Sequence, residues 1–496
     1  MNLGEVFRDS ARHFNGRIVI HNKDESVTHD AMADQIYRLT AVLRKRGVGR
    51  GDHVILAMNN SIDWLVSLFA ILGTGAVVVP VNPGLRPREM CNIANHCTPS
   101  LAIIEAELEG HFSDVATSFP RIVRGGDTNE WRRCIERAEP VAFVADVDAG
   151  DPALIFYTSG TTGVPKGVVR SHGAELAAAT ATADHIGIGP SDKSLVMGSL
   201  AFVYPLVINT LSAMIGGASI VLLDRFNPQL AADAIERHCV TIMMGVPTMY
   251  AMLMDYTDQN PRDLSSVRCA FSGGASLTEA LCVKAREKGL ELLDFWGLTE
   301  CTPATTFDPR RDRRRRPESC GQPMPGVAVK VVDEALNDVP AGEVGEVMLA
   351  GPMVMTEYYL NPVATREALI DGWIRSGDLG RVDEEGYLHL VGRKKDLIIR
   401  GGANIYPIDV EDVLYAHDDV SQCAVVGKPD PVFGETVIAY VVSKSGMLTA
   451  QDLVDHCGAH LADYKVPGDI IFMPELPKGP TGKILHFELR KMAEAR

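Results

Sequence analysis

The chain has 496 residues, of which 46% are hydrophobic and 23% are charged, and its formal net charge is −16. This length exceeds what one hydrophobic core supports, so we expect at least two domains. The acidic balance argues against non-specific binding to nucleic acid or to an anionic membrane surface. No apolar run reaches the length of a membrane span, and the ten scattered cysteines favour a reduced, cytoplasmic protein.

Short apolar runs alternate with longer amphipathic stretches through the first 300 residues or so. The runs at 53–58, 75–80 and 219–223 predict buried strands, and the stretch 61–72 predicts a helix. Strands that alternate with helices are typical of an α/β architecture with mostly parallel sheets.

The composition changes near residue 320, where glycine, proline and short alternating strands begin to dominate. This change predicts a small β-rich subdomain. Helix and strand patterns then return, with a helix predicted over 407–416 and a strand over 436–442. We therefore predict a large N-terminal domain, 1–394, and a small α+β C-terminal domain, 395–496.

The most informative segment is Tyr157–Gly167, which has the sequence Tyr-Thr-Ser-Gly-Thr-Thr-Gly-Val-Pro-Lys-Gly. Its glycines let the backbone approach a ligand closely, and its backbone amides and hydroxyls form an anion site. It is neither a P-loop nor a G-x-G-x-x-G motif, and a solvated linker would not need the apolar strand predicted at 152–157. We expect a polyphosphate to bind here, held by Thr158, Ser159, Gly160, Thr161, Thr162, Gly163 and Lys166.

This loop resembles the signature of the adenylate-forming superfamily, which includes acyl-CoA synthetases, the adenylation domains of nonribosomal peptide synthetases and firefly luciferase. Further segments resemble the family's other motifs in the same order and at the same spacing, so the resemblance covers nearly the whole chain. It implies an α/β fold, with α/β subdomains and a small β-rich subdomain in the N-terminal domain, and a mobile C-terminal domain. The segments are 272–277, 294–300, 376–378, 392–411 and 476–486.

The resemblance implies a nucleotide site that is assembled from these motifs. Trp296 would stack on adenine, and Glu300 would hold Mg²⁺ against phosphate oxygens. Asp378 would bind both ribose hydroxyls, and Arg393 would hold ribose or phosphate. The other nucleotide-binding positions that the resemblance implies are Gly274, Ala275, Asp294, Phe295, Gly297 and Thr299.

The resemblance also implies which residues act in each half-reaction. Lys483 would be the catalytic lysine that lies between the substrate carboxylate and the α-phosphate of ATP, and it would bind the nucleotide there. Lys395 would be the hinge about which the C-terminal domain rotates, and Gly402 would line the channel for the incoming thiol. The other implied catalytic residues are Glu300, Thr158 and Lys166.

The acyl pocket is expected where 199–206, 272–277 and the neighbours of Trp296 meet. The stretch 199–206 contains no acidic residue that could pair with an α-ammonium group, which disfavours an amino acid. Gly297 is expected to leave space beyond Trp296, so the acid should be larger than acetate. We predict an aromatic or medium-length acyl acid, with a pocket that includes Phe202, Val203, Tyr204, Gly273 and Gly297.

Coenzyme A is the expected acceptor, so the predicted substrates and cofactors are a small carboxylic acid, ATP, Mg²⁺ and coenzyme A. One alternative is a stand-alone adenylating enzyme that loads a separate carrier protein. A second alternative, a non-catalytic nucleotide sensor, predicts a damaged catalytic set, whereas the lysine, the glutamate and the loop are all present. No sequence signal bears on the oligomeric state.

Two other patterns favour structural interpretations. The basic run 310–316 favours a solvated surface loop over an electrostatic lure for a phosphorylated ligand. Cys91 and Cys97, with His96 beside the latter, fit no common zinc spacing, so we expect core or surface thiols.

Overall fold

The computed structural model describes residues 2–23, 25–158, 166–312, 315–316, 318–479 and 484–495. The α-helices are α1 (Leu3–His13), α2 (His29–Lys45), α3 (Ile62–Thr74), α4 (Pro87–Cys97), α5 (Glu130–Arg137), α6 (His172–Ile186), α7 (Ser212–Ile215), α8 (Pro228–His238), α9 (Pro247–Gln259), α10 (Glu279–Glu287), α11 (Pro362–Ala368), α12 (Pro407–Tyr415), α13 (Ala450–His460) and α14 (His486–Glu494).

The strands of the N-terminal half are β1 (Ile18–Asn22), β2 (Glu25–Thr28), β3 (His53–Ala57), β4 (Val77–Pro80), β5 (Leu101–Glu105), β6 (Arg121–Arg124), β7 (Pro152–Thr158), β8 (Lys166–Ser171), β9 (Lys193–Val196), β10 (Ser219–Leu222) and β11 (Ile242–Gly245). The remaining strands are β12 (Cys269–Gly273), β13 (Leu292–Leu298), β14 (Cys301–Thr306), β15 (Gln322–Pro323), β16 (Ala328–Val332), β17 (Gly345–Ala350), β18 (Glu357–Tyr358), β19 (Leu369–Ile370), β20 (Trp373–Val382), β21 (Leu388–Arg393), β22 (Ile398–Arg400), β23 (Ala403–Ile405), β24 (Val420–Asp430), β25 (Gly434–Ser443) and β26 (Asp469–Phe472).

The chain forms two compact units. The first contains residues 1–329 and 349–374, and the second contains residues 330–348 and 375–496. The predicted boundary at Lys394–Lys395 lies inside the second unit, at a 3-10 turn over Lys394–Asp396. The division into domains 1–394 and 395–496 stays a prediction.

Two large sheets form the first unit. One has nine strands in the order β15-β14-β13-β12-β11-β9-β10-β1-β2, and the other has seven in the order β18-β8-β7-β4-β3-β5-β6. The central pairs of both sheets are parallel, as in β9–β10, β11–β12 and β3–β4. Strands β3 and β4 are apolar almost throughout because helices cover both faces of such sheets. The predicted α/β architecture is thereby confirmed.

Helix α3 shows how the local sequence sets the limits of a buried element. The Ser61 hydroxyl accepts a hydrogen bond from the Trp64 amide at 3.1 Å and so caps the first turn. The helix ends at Gly75, whose φ of 81° is a left-handed conformation that glycine adopts without strain. Every residue of α3 except Asp63 is buried, as expected for a helix that is apolar on all sides.

The second unit contains an antiparallel pair of long strands, β24 and β25, with β26 parallel to β25. Alternate residues of this sheet enter two separate cores. Cys423 and Val425 pack with helices α12 and α13, whereas Ala424 and Val426 pack with α14. Because both faces are covered, the strands are nearly continuous apolar runs. In the described part of the chain, no helix combines the length and apolar character that crossing a membrane requires.

Candidate active site

The two ends of the predicted phosphate loop lie on a β-hairpin. Strands β7 and β8 run antiparallel, with Thr158 opposite Lys166 and Tyr157 opposite Gly167. Ser159, Gly160, Thr161, Thr162 and Gly163 lie outside the described residues, as does Lys483. Thr158 and Lys166 are therefore the loop residues whose surroundings the structure describes.

Lys166 and Glu300 meet at one tyrosine that sequence reasoning missed. The Tyr358 hydroxyl donates a hydrogen bond to Glu300 Oε1 at 2.7 Å. The Lys166 ammonium lies 4.8 Å from the centroid of the same ring, within cation–π range. Burial and the nearby Glu300 charge raise the pKa of Tyr358, so the hydroxyl stays a donor. No local pattern in the sequence marks this tyrosine, because its partner is 58 residues away.

A second missed residue, Arg170, holds the backbone beside Glu300. Arg170 and Glu175 form a bidentate ion pair at 2.9 and 3.0 Å, and both side chains are completely buried. Burial opposes the charge of Arg170, but Glu175 raises the pKa of the guanidinium. Arg170 also donates to the carbonyl of Met353 at 2.5 Å and to that of Glu300 at 3.4 Å. The buried Arg170 side chain thus holds the backbone of the segment that carries Glu300.

Asp294 is buried and forms an ion pair with Arg315, a residue of the basic run 310–316. Arg315 Nε donates to Asp294 Oδ2 at 2.5 Å, and the Arg315 side chain is only 8% exposed. Burial raises the pKa of Asp294 to about 6, although Arg315 acts in the opposite direction. The expectation of a solvated loop at 310–316 is therefore wrong for Arg315, because its side chain is largely enclosed as the partner of Asp294. The exposed Arg310 pairs with Asp308 in the same loop.

Aromatic rings meet where the acyl pocket is predicted. The rings of Tyr204 and Phe295 lie 5.0 Å apart and are tilted by 31°. The Tyr204 hydroxyl donates to the carbonyl of Phe271 at 3.4 Å. Tyr204 opens a π-helical segment, Tyr204–Leu211, a form that often occurs at functional sites, and Phe202 and Val203 directly precede it. The segments 199–206, 271–273 and 295 are thus neighbours.

Neighbouring residues pack closely against two glycines of the predicted pocket, Gly273 and Gly297. A Cβ at Gly273 would lie 2.9 Å from the carbonyl oxygen of Phe295. A Cβ at Gly297 would lie 2.8 Å from Thr302 Oγ1 and 3.1 Å from the carbonyl oxygen of Cys301. The expectation that Gly297 opens space beyond Trp296 is therefore corrected, because its missing side chain would point into the β13–β14 hairpin. Trp296 is half-buried, as are Gly297 and Thr299, whereas Gly274, with a φ of 86°, and Ala275 are exposed.

The predicted ribose site lies in the second unit. Asp378 and Arg393 are directly opposite each other on β20 and β21, and Arg393 Nε lies 3.2 Å from Asp378 Oδ1. Asp378 is buried, and the Ser376 hydroxyl accepts a hydrogen bond from the Asp378 amide at 3.0 Å. A fixed carboxylate beside a partly exposed guanidinium suits a ligand that carries both hydroxyl and phosphate groups.

Gly402 and Lys395 also lie in turns of the second unit. Gly401 and Gly402 have φ of 58° and 84° and join Arg400 to Ala403, which are paired in the β22–β23 hairpin. Two successive positive φ values are those of a type I′ turn. A Cβ at Gly402 would meet nothing within 4 Å, so the space around it is open. The carbonyl of Lys395 accepts a hydrogen bond from Arg490 at 3.0 Å.

The two cysteines that flank His96 in the sequence have buried side chains. Cys91 and Cys97 are buried thiols. His96 Nδ1 lies 2.7 Å from the hydroxyl of Tyr157, the residue that precedes Thr158 in β7. This agrees with the expectation of core thiols, and it places His96 in the packing around the hairpin.

Two family models match the chain. The family model described as AMP-binding enzyme matches residues 7–359, and the one described as AMP-binding enzyme C-terminal domain matches residues 409–483. The chain is 32% identical over 486 residues to an indoleacetate–CoA ligase from Aromatoleum aromaticum, covering 96% of this chain and 95% of that protein. It is 33% identical to a feruloyl-CoA synthase from Amycolatopsis, covering 94% of each chain. A long-chain-fatty-acid–CoA ligase from Salmonella typhimurium is also 33% identical, with 100% of this chain and 95% of that protein covered.

Solved structures show the same architecture. ATP-bound MatB from Rhodopseudomonas palustris superposes with a TM-score of 0.92 at 28% identity, covering 99% of both chains. The anthranilate CoA ligase AuaEII, in complex with anthranoyl-AMP, superposes with a TM-score of 0.91 at 28% identity, covering 100% of this chain and 98% of that one.

Proposed function

Since the chain belongs to the AMP-binding enzyme family of the adenylate-forming superfamily and is an AMP-forming acyl-CoA synthetase, we propose a class of acid for it. The protein joins an aromatic or medium-length acyl acid to coenzyme A. The observation that carries the choice of acid is the ring pair of Tyr204 and Phe295, which adjoins Trp296. Aromatic walls favour flat, apolar substrates through offset or tilted ring contacts. Two of the relatives are named for aromatic acids, indoleacetate and ferulate, which supports the same choice.

The first half-reaction requires two anions to approach each other. The substrate carboxylate attacks the α-phosphate of ATP, an acyl-adenylate forms, and pyrophosphate leaves. In this proposal Lys483 neutralises the charge that develops between the carboxylate and the α-phosphate. Thr158 and Lys166, at the ends of the loop, orient the β- and γ-phosphates, and Asp378 and Arg393 hold the ribose side of the nucleotide.

The surroundings of Glu300 fit a magnesium ligand. Its carboxylate is a hard oxygen donor, and Mg²⁺ is commonly bound through one or two carboxylates together with substrate phosphates. Tyr358 occupies Oε1, and the backbone of Glu300 is fixed by Arg170 and Met355. Glu300 would hold Mg²⁺, which would screen the charge of the phosphate oxygens.

The second half-reaction needs an open path for a thiol in place of a lysine. The thiol of coenzyme A attacks the acyl carbonyl and displaces AMP. We assign to Lys395 the hinge at which residues 395–496 rotate, so that Lys483 leaves the site and Gly402 enters it. The open space around the Cβ position of Gly402 is compatible with this role.

An acid panel tests the proposed function. The full-length protein is incubated with ATP, MgCl₂ and one acid at a time, with and without coenzyme A, and AMP is measured. The panel contains indole-3-acetate, ferulate, benzoate, octanoate, palmitate, acetate and alanine. We expect AMP release that depends on coenzyme A and is fastest with one of the aromatic acids or octanoate.

Each other outcome of the panel rejects part of the proposal. A preference for acetate, palmitate or alanine contradicts the acid class. Adenylate formation that coenzyme A does not discharge indicates an enzyme that loads a carrier protein. The absence of AMP release with every acid, together with ATP binding without turnover, would support the nucleotide-sensor alternative.

A further inference from the structure

One aromatic side chain contacts both charged groups at the edge of the candidate phosphate site. Tyr358 donates its hydroxyl to Glu300 Oε1 at 2.7 Å, and Lys166 lies over its ring at 4.8 Å from the centroid. Lys166 lies at the C-terminal end of the loop, and Glu300 is the candidate magnesium ligand. The ring therefore connects a cation and an anion that the proposed function uses for the same triphosphate.

The backbone around Tyr358 fixes the ring on the strand that carries Lys166. Strand β18 pairs antiparallel with β8, where Tyr358 lies opposite Val168. The Tyr358 amide donates to the Thr365 hydroxyl at 3.0 Å, and the next amide, of Tyr359, donates to the carbonyl of Gly167 at 2.7 Å. Tyr358 is 8% exposed. Backbone pairing and low exposure restrict the movement of this ring, so its hydroxyl can orient the carboxylate that it contacts.

The hydrogen bond also distinguishes the two carboxylate oxygens of Glu300. Oε1 is occupied by the tyrosine, whereas Oε2 has no hydrogen-bond partner among the residues that the structure describes. A carboxylate that is fixed through one oxygen presents the other in a defined direction, as outer partners do for metal-binding carboxylates.

We propose that Tyr358 is a positioning residue for the magnesium–nucleotide complex, a role that rests on the proposed function. Its hydroxyl aims Glu300 Oε2 at the metal. Its ring supports Lys166 through a cation–π contact and keeps the ammonium from pairing directly with the Glu300 carboxylate, which would neutralise both groups before the nucleotide binds.

The two parts of the side chain can be separated by substitution. Tyr358→Phe removes the hydroxyl but keeps the ring beneath Lys166. Tyr358→Leu removes both. Tyr359→Phe is the matched control, because Tyr359 contributes ring contacts with His53 and His96, at 5.0 and 5.5 Å, that phenylalanine preserves.

Calorimetric titration of the full-length protein with ATP, in the absence of any acid, measures the role directly. Each protein is titrated once with excess EDTA and once with excess MgCl₂, and the ratio of the two dissociation constants gives the gain in affinity due to magnesium. We expect this gain to be about tenfold smaller for Tyr358→Phe, because the substitution removes a hydrogen bond to a charged group. The affinity of Tyr358→Phe for ATP in EDTA should be unchanged. Tyr358→Leu should also lose affinity in EDTA, and Tyr359→Phe should match the unsubstituted protein.

The result that overturns the inference is a Tyr358→Phe protein with the full magnesium-dependent gain. Equal losses in EDTA and in MgCl₂ would also overturn it, because they would indicate a merely structural hydroxyl. Thermal melting of each variant identifies unfolded protein, and Tyr358→Phe decides the question if Tyr358→Leu does not fold. An unsubstituted protein that binds no ATP would contradict the proposed function instead, so the two failures are distinguishable.

Discussion

Replacing Arg170 with methionine should destabilise the first unit more than any surface substitution. Arg170 and Glu175 are both 0% exposed, and their ion pair is bidentate, at 2.9 and 3.0 Å. Removing one partner of such a pair leaves a buried charge without compensation, which costs about 3–5 kcal/mol. Methionine fills a similar volume, so the cavity contribution is small.

The double variant Arg170→Met with Glu175→Leu should recover part of this loss. Two carbonyls accept from Arg170, but that of Glu300 also accepts from the Met355 amide at 2.7 Å. In the double variant the Met353 carbonyl loses its hydrogen bond from Arg170, which lowers the free energy of unfolding by about 1–3 kcal/mol. The double variant should therefore be more stable than Arg170→Met alone.

Tryptophan fluorescence during urea unfolding is the appropriate assay. The chain has four tryptophans, Trp64, Trp131, Trp296 and Trp373, and all lie in the first unit. Arg132→Met is the control, because the Arg132–Glu136 pair is 67% and 60% exposed and such pairs contribute about 0.5 kcal/mol or less. If Arg170→Met unfolds at the same urea concentration as this control, the assigned role of the buried pair is incorrect.

Three further substitutions test other parts of the chain. Lys483→Ala should abolish ATP–pyrophosphate exchange but largely spare thiolation of a pre-made acyl-adenylate, and an equal loss of both half-reactions would refute the division of labour. Tyr204→Ala should lower kcat/KM for aromatic acids about threefold to tenfold relative to octanoate, the range expected for one aromatic pair, whereas an unchanged ratio would remove Tyr204 from the pocket. His486 lies 3.3 Å from Glu411, which raises the pKa of the imidazole although burial opposes this. Because the pKa is raised in the folded state, the ion pair contributes its full stabilisation below about pH 6.5, and this stabilisation is lost as the pH rises through the folded-state pKa. His486→Gln should therefore lower the melting temperature, measured by circular dichroism, more at about pH 5.5 than at about pH 9. A deficit that does not vary with pH would mean that the pair is not ionic.

Several elements follow from the sequence within two residues. Strands β3, β4 and β10 and helix α3 lie where the apolar runs predict them, as does β25 in the second unit. These elements are buried on both sides, so nearly every residue in them must be apolar, and the run itself marks the element. The order of the motifs likewise indicates the family, because each motif is a local arrangement of residues.

The environments of the site residues did not follow from the same local patterns. Sequence reasoning placed 310–316 in a solvated loop, yet the Arg315 side chain is paired with Asp294, 21 positions earlier, and is only 8% exposed. It predicted that Gly297 leaves open space beyond Trp296, yet a Cβ at this position would lie too close to atoms of the β13–β14 hairpin. In both cases the environment of the residue depends on a neighbour that the folded chain places beside it. The local pattern of apolar and polar residues contains no information about such a neighbour.

The sequence by itself determined the alternation of strands and helices, and the resemblance of its motifs indicated the class of chemistry, since both are written in short stretches of residues. The tertiary structure alone decided which charged and aromatic groups meet. Glu300 is contacted by Tyr358 from 58 residues away, and Arg170 reaches Met353 across 183 residues. Burial makes such pairings strong, because few other partners or solvent molecules compete for the same donors and acceptors.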